Sequence, residues 1–399
     1  MRPPLIGSCA LALCALLLGG CSTSLFSGVG FPSRDIDIQK AVQKAVQDRQ
    51  NEAKIAQDRQ NEVMQDAFKN ALEQYKKRDY KRALDSFTTA AEDGSAEAFY
   101  YIGLIYQHGL GVRADYDTAF RYFQNAVDRG VAKAYIGIGD ADVHGHHGID
   151  TWGDYGQDYS HAFKSYQKAI DKGFVGGYNG LGVLYANGFG VEQNTSKALE
   201  YFQKAGDGGY AEAYNSLGAV YRNGQGVAKD YAKALEYFQK ACDGWFAMGC
   251  YNIGSAYANG TGVAKNPSKA LEYFQKAADV GVAEAYLNLG EMYRNGQGVA
   301  KDYAKAKEYF QKAGYGGQAT GYYNLGLMYK NGVGVDKDSE QAVEYLRKAA
   351  DGGNADAFYT LGMMYANGDG VLQDKKTGMQ YIQTACDKGY EKACTLLSK

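Results

Sequence analysis

From about residue 79 this chain repeats itself every 36 residues. The string Y-x-N-G-x-G-V recurs at Tyr185, Tyr221, Tyr257, Tyr293, Tyr329 and Tyr365. An Asp or Asn opening a D-Y-x-K-A-like run recurs at Asp79, Asp115, Asp158, Asn194, Asp230, Asn266, Asp302, Asp338 and Asp374. Its intervals are all 36 except the 43 between Asp115 and Asp158. Such a period means stacked supersecondary units, not one globular core. A stacked array offers a long surface and no obligatory catalytic centre.

Each unit reads as two helices. After Ala283, Tyr286, Leu289, Gly290 and Tyr293 share one face of a first helix. Gly290 weakens that helix by about 1 kcal/mol relative to Ala. It recurs at Gly103, Gly139, Gly182, Gly218, Gly254, Gly326 and Gly362, which predicts a neighbour too close for a Cβ. Asn295-Gly296-x-Gly298-Val299 turns the chain with glycines at positive φ. Asp302 then caps a second helix, as does Asn266 before Pro267, a residue suited to the first helical position. That second helix is expected to bury Ala304, Tyr309 or Phe310, and Ala313. The expected fold is all-α: a right-handed α-solenoid of two-helix repeats over residues 77–399, behind a long N-terminal helix. Residues 36–76 carry Q-D-R-Q-N-E twice, from Gln47 and Gln57, with apolar residues at helical spacing. They read as a helical or coiled-coil extension; disorder up to about residue 60 is the alternative.

Residues 1–20 read as a targeting segment. Arg2 precedes an apolar run of 14 residues, Leu5 to Leu18, too short to span a bilayer. The run ends in Leu18-Gly19-Gly20-Cys21, which resembles a bacterial lipobox. That resemblance implies a signal peptide, an acylated Cys21 and a flexible tether over residues 21–35. Acylation by more than one chain gives stable anchoring. Ser22, where an Asp would imply inner-membrane retention, implies an outer-membrane lipoprotein facing the periplasm, with cell-surface exposure as the alternative. Of seven cysteines, Cys9 and Cys14 leave with the signal and Cys21 carries lipid. The remaining pairs, Cys242 with Cys250 and Cys386 with Cys394, are each eight apart and lie 144 residues from one another. An even set in an oxidising compartment reads as two disulfides. A net charge of −2, from 43 basic and 45 acidic residues without a basic stripe, argues against a nucleic-acid partner.

The unit A-x-x-x-L-G-x-x-Y-x-N-G-x-G-V-x-x-D-x-x-K-A-x-x-Y-F-x-K-A-A-x-x-G resembles the Sel-one-like repeat (SLR), a longer-looped relative of the tetratricopeptide repeat. The resemblance covers residues 79–398. Phe68 to Asp93 lacks the N-G-x-G-V loop and looks like a plain tetratricopeptide hairpin. The cysteine spacing resembles the Helicobacter cysteine-rich subfamily, although here two units alone carry the pair. The resemblance implies a protein or peptide partner, held in a concave groove lined by first helices. The groove positions are Asn252, Asn288 and Asn324 in register, Tyr251, Tyr323 and Tyr359 beside them, and Arg222, Arg294 and Lys330 one turn on. Asparagines at free positions can pair with a peptide backbone, and tyrosines add contact area.

Little else suggests chemistry. His144, His146 and His147, with Asp140, Asp142, Asp150 and Asp154 nearby, are a weak metal candidate. His144 fills the slot that His108 fills one unit earlier, so no metal site is expected. The seven-residue insertion there carries Trp152 and Tyr155 and reads as an exposed specificity loop. Ser165-x-x-Lys168 and Lys376-Thr377-Gly378 match fragments of penicillin-recognising enzymes, whose β-lactam activity is also attributed to the cysteine-rich subfamily. Ser165, however, stands where other units have Tyr, and Lys376-Thr377-Gly378 opens a helix where the motif needs a strand. No catalytic residue, cofactor or small-molecule substrate is expected. The leading expectation is a membrane-anchored scaffold in the bacterial envelope; β-lactam hydrolysis and peptidoglycan association are the alternatives.

Overall fold

The computed structural model describes residues 33–145 and 158–398. Among them are nineteen helices and no strand. The signal segment, Cys21, most of the tether, and His146, His147, Trp152 and Tyr155 of the insertion lie outside the described residues. No described helix is long and apolar enough to cross a membrane.

The first helix, Ser33–Lys76, is 44 residues long. Its middle is mostly polar, with Val46, Ile55 and Val63 exposed and Gln47 and Gln57 reaching Asn51 and Asn61 one turn on. From Ala67 it packs against Tyr80–Glu92, and Phe68, Tyr75, Phe87 and Tyr101 build the first aromatic core. Eight helix pairs follow, from Ala96–His108 with Tyr116–Asp128 to Ala355–Asn367 with Lys375–Asp387. We call the members of each pair A and B. A short helix, Glu391–Leu397, closes the stack.

Every B helix starts on a side-chain cap. Asp230 accepts from the Lys233 N–H, Asn266 from Lys269 and Asp302 from Lys305. Every A helix except the last, short one ends on a glycine at positive φ, such as Gly260 at 75°. The second loop glycine docks the loop on the preceding B helix: a Cβ on Gly262 would stand 2.3 Å from Tyr231 Cβ. The glycine inside the A helix has a different neighbour. A Cβ on Gly254 would stand 2.7 Å from the Phe274 ring, and one on Gly290 2.6 Å from the Phe310 ring. The B-helix aromatic fills the space that the missing methyl leaves. Phe310, Ala306 and Ala313 are buried, whereas Tyr309 is half-buried. The expectation for Ala304 is corrected, since it is exposed, two positions off the buried face.

Half-buried tyrosines tie helices together within and between units. Tyr221 stacks on Tyr237 at 5.7 Å and Tyr293 on Tyr309 at 5.6 Å. The same B-helix hydroxyls reach back one repeat, Tyr273 donating to Gln239 and Tyr309 to Gln275. Both cysteine pairs are bonded across unit junctions, with Cα separations of 4.8 Å for Cys242–Cys250 and 4.7 Å for Cys386–Cys394. Other junctions place an aromatic over a small residue instead, as Tyr214 does over Gly206 and Tyr322 over Gly314. The disulfide thus replaces an aromatic contact, one for one. Successive A helices approach each other, while successive B helices stay further apart. The stack therefore curves with the A helices inside.

Candidate interaction groove

The inner face is built from A-helix side chains one repeat apart. Asn252 donates to Asn215 of the preceding A helix at 2.8 Å and accepts from Arg222 at 3.0 Å. Asn288 donates to its own helix at the Glu284 carbonyl, 3.0 Å away, and to the Tyr251 hydroxyl at 3.5 Å. Asn324 donates to Glu291 at 2.8 Å and accepts from Arg294 at 3.5 Å. Arg294 also pairs with Glu291. The sequence places these asparagines at positions free of packing; Asn324 corrects that expectation, being 5% exposed. The row is largely a ladder that fixes each repeat on the last, because a buried amide must find partners within the protein.

The other groove residues remain reachable. Arg222 is exposed, and Arg294, Lys330, Tyr251, Tyr323 and Tyr359 are half-buried. Burial raises the Tyr323 hydroxyl above its ordinary pKa. Tyr359 packs on Tyr390 at 5.1 Å. A cavity of about 140 Å³ opens beside Arg222, Phe238, Asn252 and Ser255. A wider depression of about 700 Å³ lies at the loops, between Lys307, Tyr329, Asp338 and Gly370.

The second repeat differs from the rest. Its B helix, Tyr159–Asp171, carries Tyr166 where other units have an apolar core residue, and the hydroxyl donates to Asp140 at 2.7 Å. Gln107 donates to the other Asp140 oxygen at 3.3 Å. Asp142 is fully buried and meets His161 Nδ1 at 2.8 Å. Burial raises the Asp142 carboxyl to about 6, against the pull of His161. Burial also lowers His108, which Asp140 partly offsets. Asp140 and Asp142 stand out in the sequence as neighbours of the histidine run, and His108 as the counterpart of His144, but Tyr166 and Gln107 look like repeat-to-repeat variation until the helices are packed.

Of the described histidines, His108 and His144 lie near Asp140, whereas His161 meets Asp142. His144 stacks on Tyr116 at 4.8 Å and its Nδ1 lies 2.7 Å from the Asp140 carbonyl. Among the described residues no group of three or more His, Cys, Asp or Glu could hold a metal ion. Ser165 is 2% exposed inside its helix, and Lys168 lies over the Tyr135 ring at 5.4 Å. Thr377 sits in a helix start capped by Asp374, which accepts from its N–H and its hydroxyl. A nucleophile needs access to its substrate, and Ser165 has none.

A linear array of A/B helix pairs curved around an inner face defines the tetratricopeptide-like solenoid class. Within that class the Sel1 repeat description matches eight consecutive segments: 96–131, 132–174, 176–210, 211–244, 247–282, 283–318, 319–354 and 355–390. The chain belongs to the Sel1 repeat family, whose members serve as protein-interaction scaffolds. Among solved structures it is similar to a protective antigen of uropathogenic Escherichia coli displaying an SLR fold. The two are 28% identical with a TM-score of 0.53, over 78% of this chain and 65% of that one. A Sel1 repeat protein from Oxalobacter formigenes is 27% identical with a TM-score of 0.50, over 56% of this chain and 90% of that one. The cysteine-rich protein B of Helicobacter pylori is 31% identical with a TM-score of 0.28, over 35% of this chain and 99% of that one. No curated protein matches the chain significantly.

Proposed function

We propose that this protein is a lipid-anchored scaffold of the bacterial envelope that holds a segment of a partner protein against its inner face. The observation that carries the reading is the continuous inner surface on which Tyr251, Arg222, Arg294 and Tyr359 stay accessible while the asparagine ladder holds their spacing. A rigid row of aromatic and basic groups presents contact area at small entropic cost. The Leu18-Gly19-Gly20-Cys21 string supports the anchor, and the two disulfides fit an oxidising compartment.

Photo-crosslinking in intact cells tests the groove. A benzophenone side chain at position 323 should trap a discrete protein, whereas one at the exposed position 315 should not. Equal yields at both sites would sink the groove reading. Separately, Cys21→Ala should move the protein from the membrane fraction to the soluble one; retention would overturn the anchor. No observation favours β-lactam hydrolysis, given the burial of Ser165.

A further inference from the structure

The cavity of about 140 Å³ on the inner face is one that the repeat plan closes elsewhere. Its floor is Phe238 and Leu235 on the B helix of the fourth repeat. Its walls are Arg222 of the fourth A helix and Asn252, Ser255 and Ala256 of the fifth. Other units fill the Ala256 position with a longer side chain: Val220, Met292, Met328 and Met364 stand there, and all are buried. Ala256 is half-buried. Ser255 stands where the seventh and eighth repeats carry Leu327 and Met363. Two small residues side by side leave a hole between neighbouring A helices, and its lining forgoes packing contacts.

The charge beside the hole differs as well. In the sixth repeat Arg294 pairs with Glu291, three residues before it. Arg222 is the counterpart of Arg294 in the fourth repeat, and the residue three before it is Ala219. Arg222 donates instead to Asn252 at 3.0 Å through Nη1 and to Asn223 at 3.2 Å through Nε, and its guanidinium carbon lies 5.7 Å from the Phe238 ring centre. It is exposed, and among the described residues no carboxylate pairs with it. Its rung with Asn252 belongs to the inner face, so the mouth of the cavity opens on the surface along which a bound segment would run.

We propose that this cavity receives one large apolar side chain, of leucine or phenylalanine size, from the bound partner segment, and that Arg222 holds a carboxylate side chain next to it on that segment. The proposal rests on the inner-face reading above and names the side chains recognised there. A cavity of about 150 Å³ admits a benzene-sized group. Filling it returns the contacts that Ser255 and Ala256 forgo. An apolar floor of Phe238 and Leu235 disfavours a charged occupant. The carboxylate gives Arg222 the charge-assisted bond that Glu291 gives Arg294.

The test uses the disulfide-bonded full chain and dodecapeptide pools blocked at both ends. One pool fixes a central Leu-Glu pair; its companions fix Ala-Glu and Leu-Gln. Binding is read by fluorescence polarisation. The Leu-Glu pool should bind about tenfold tighter than Ala-Glu and about threefold tighter than Leu-Gln. Ala256→Met fills the cavity with the residue that three other repeats carry there, so it should fold and abolish the preference for Leu. Ala219→Glu gives Arg222 the partner that Arg294 has, and should abolish the preference for Glu while keeping that for Leu. Thermal melts establish folding, and Ser255→Leu, the residue of the seventh repeat, takes the place of Ala256→Met if that variant fails to fold. Equal binding of the Leu-Glu and Ala-Glu pools, or a Leu preference that survives filling the cavity, overturns the cavity as the site. A Glu preference that is absent, or that survives Ala219→Glu, overturns the role of Arg222. If no pool binds, the whole inference falls, while the crosslink at position 323 still decides the inner-face reading.

Discussion

The second repeat and repeats three to eight use one helical plan to different ends. In the later repeats the B-helix core residues are apolar, tyrosine pairs stack unit by unit, and surface glutamates find a lysine one turn on, as Glu272 finds Lys276 at 2.8 Å. Two disulfides close junctions there. In the second repeat Tyr166 replaces a core Phe, Asp142 is fully buried against His161, and burial raises Asp140. A buried carboxylate works against folding unless its partners compensate it. The contrast separates regularly packed repeats from one held by a buried polar network.

The largest expected effect breaks the regular half. Phe274→Ala removes the ring that fills the space over Gly254 and should destabilise by about 3–5 kcal/mol. Stability in arrays is carried by nearest neighbours, so hydrogen exchange should rise in the fourth to sixth repeats and leave the first nearly unchanged. Global unfolding in one step would contradict the division. Next, Cys242→Ser with Cys250→Ser should cost about 2.5 kcal/mol, from a loop of about nine residues. Reductant should reproduce that loss in the wild type and have no further effect on the variant at this junction.

Two smaller effects sharpen the contrast. Asp140→Asn should stabilise the second repeat by about 1 kcal/mol, because it removes a charge that burial disfavours while the remaining oxygen keeps the Tyr166 bond. Unchanged or lower melting would contradict a disfavoured charge at Asp140. The pH dependence should also differ between halves. Asp142 is raised to about 6, and Asp140 and Glu212 are raised as well, chiefly by burial. The folded state binds these protons more tightly than the unfolded one. Their contribution is therefore complete below the ordinary carboxylate range near 4 and fades as pH rises through about 6. Glu272, held down by Lys276, and Asp374, held down by Thr377, have the opposite sign and lose their contribution only as pH falls through their lowered values. Hydrogen exchange at pH 5 and pH 7, corrected for intrinsic rate, should show more protection at pH 5 in the second repeat and, to a smaller extent, around Glu212 in the fourth. The smallest effect is at Trp245, which is 87% exposed at φ 67° where other repeats carry glycine. Trp245→Gly should stabilise by about 1 kcal/mol, measured by denaturant midpoint.

Much of the array was legible because its determinants are local and repeat. Asp302 announces a cap wherever it stands, and Gly296 a left-handed turn. Cysteines eight apart bracket one short turn, so their pairing needs little tertiary knowledge. The candidate site was only half legible. Tyr323 and Arg222 could be placed on the inner side from their register, but whether Asn324 was free depended on Glu291, thirty-three residues away. Gly176 reads as a poor helix former, and its use becomes visible only when Ile136 and Tyr210 are seen to meet over it.

The sequence by itself determined the unit: its period, its caps, its glycine turns and the covalent ties at two junctions. These follow from backbone geometry and contacts a few residues apart, which any copy of the motif carries with it. The tertiary structure decided the curvature, which asparagines became ladder rungs, and which carboxyl groups met tyrosine hydroxyls. Those outcomes depend on how several units close on each other, a sum of small packing angles that no single unit encodes.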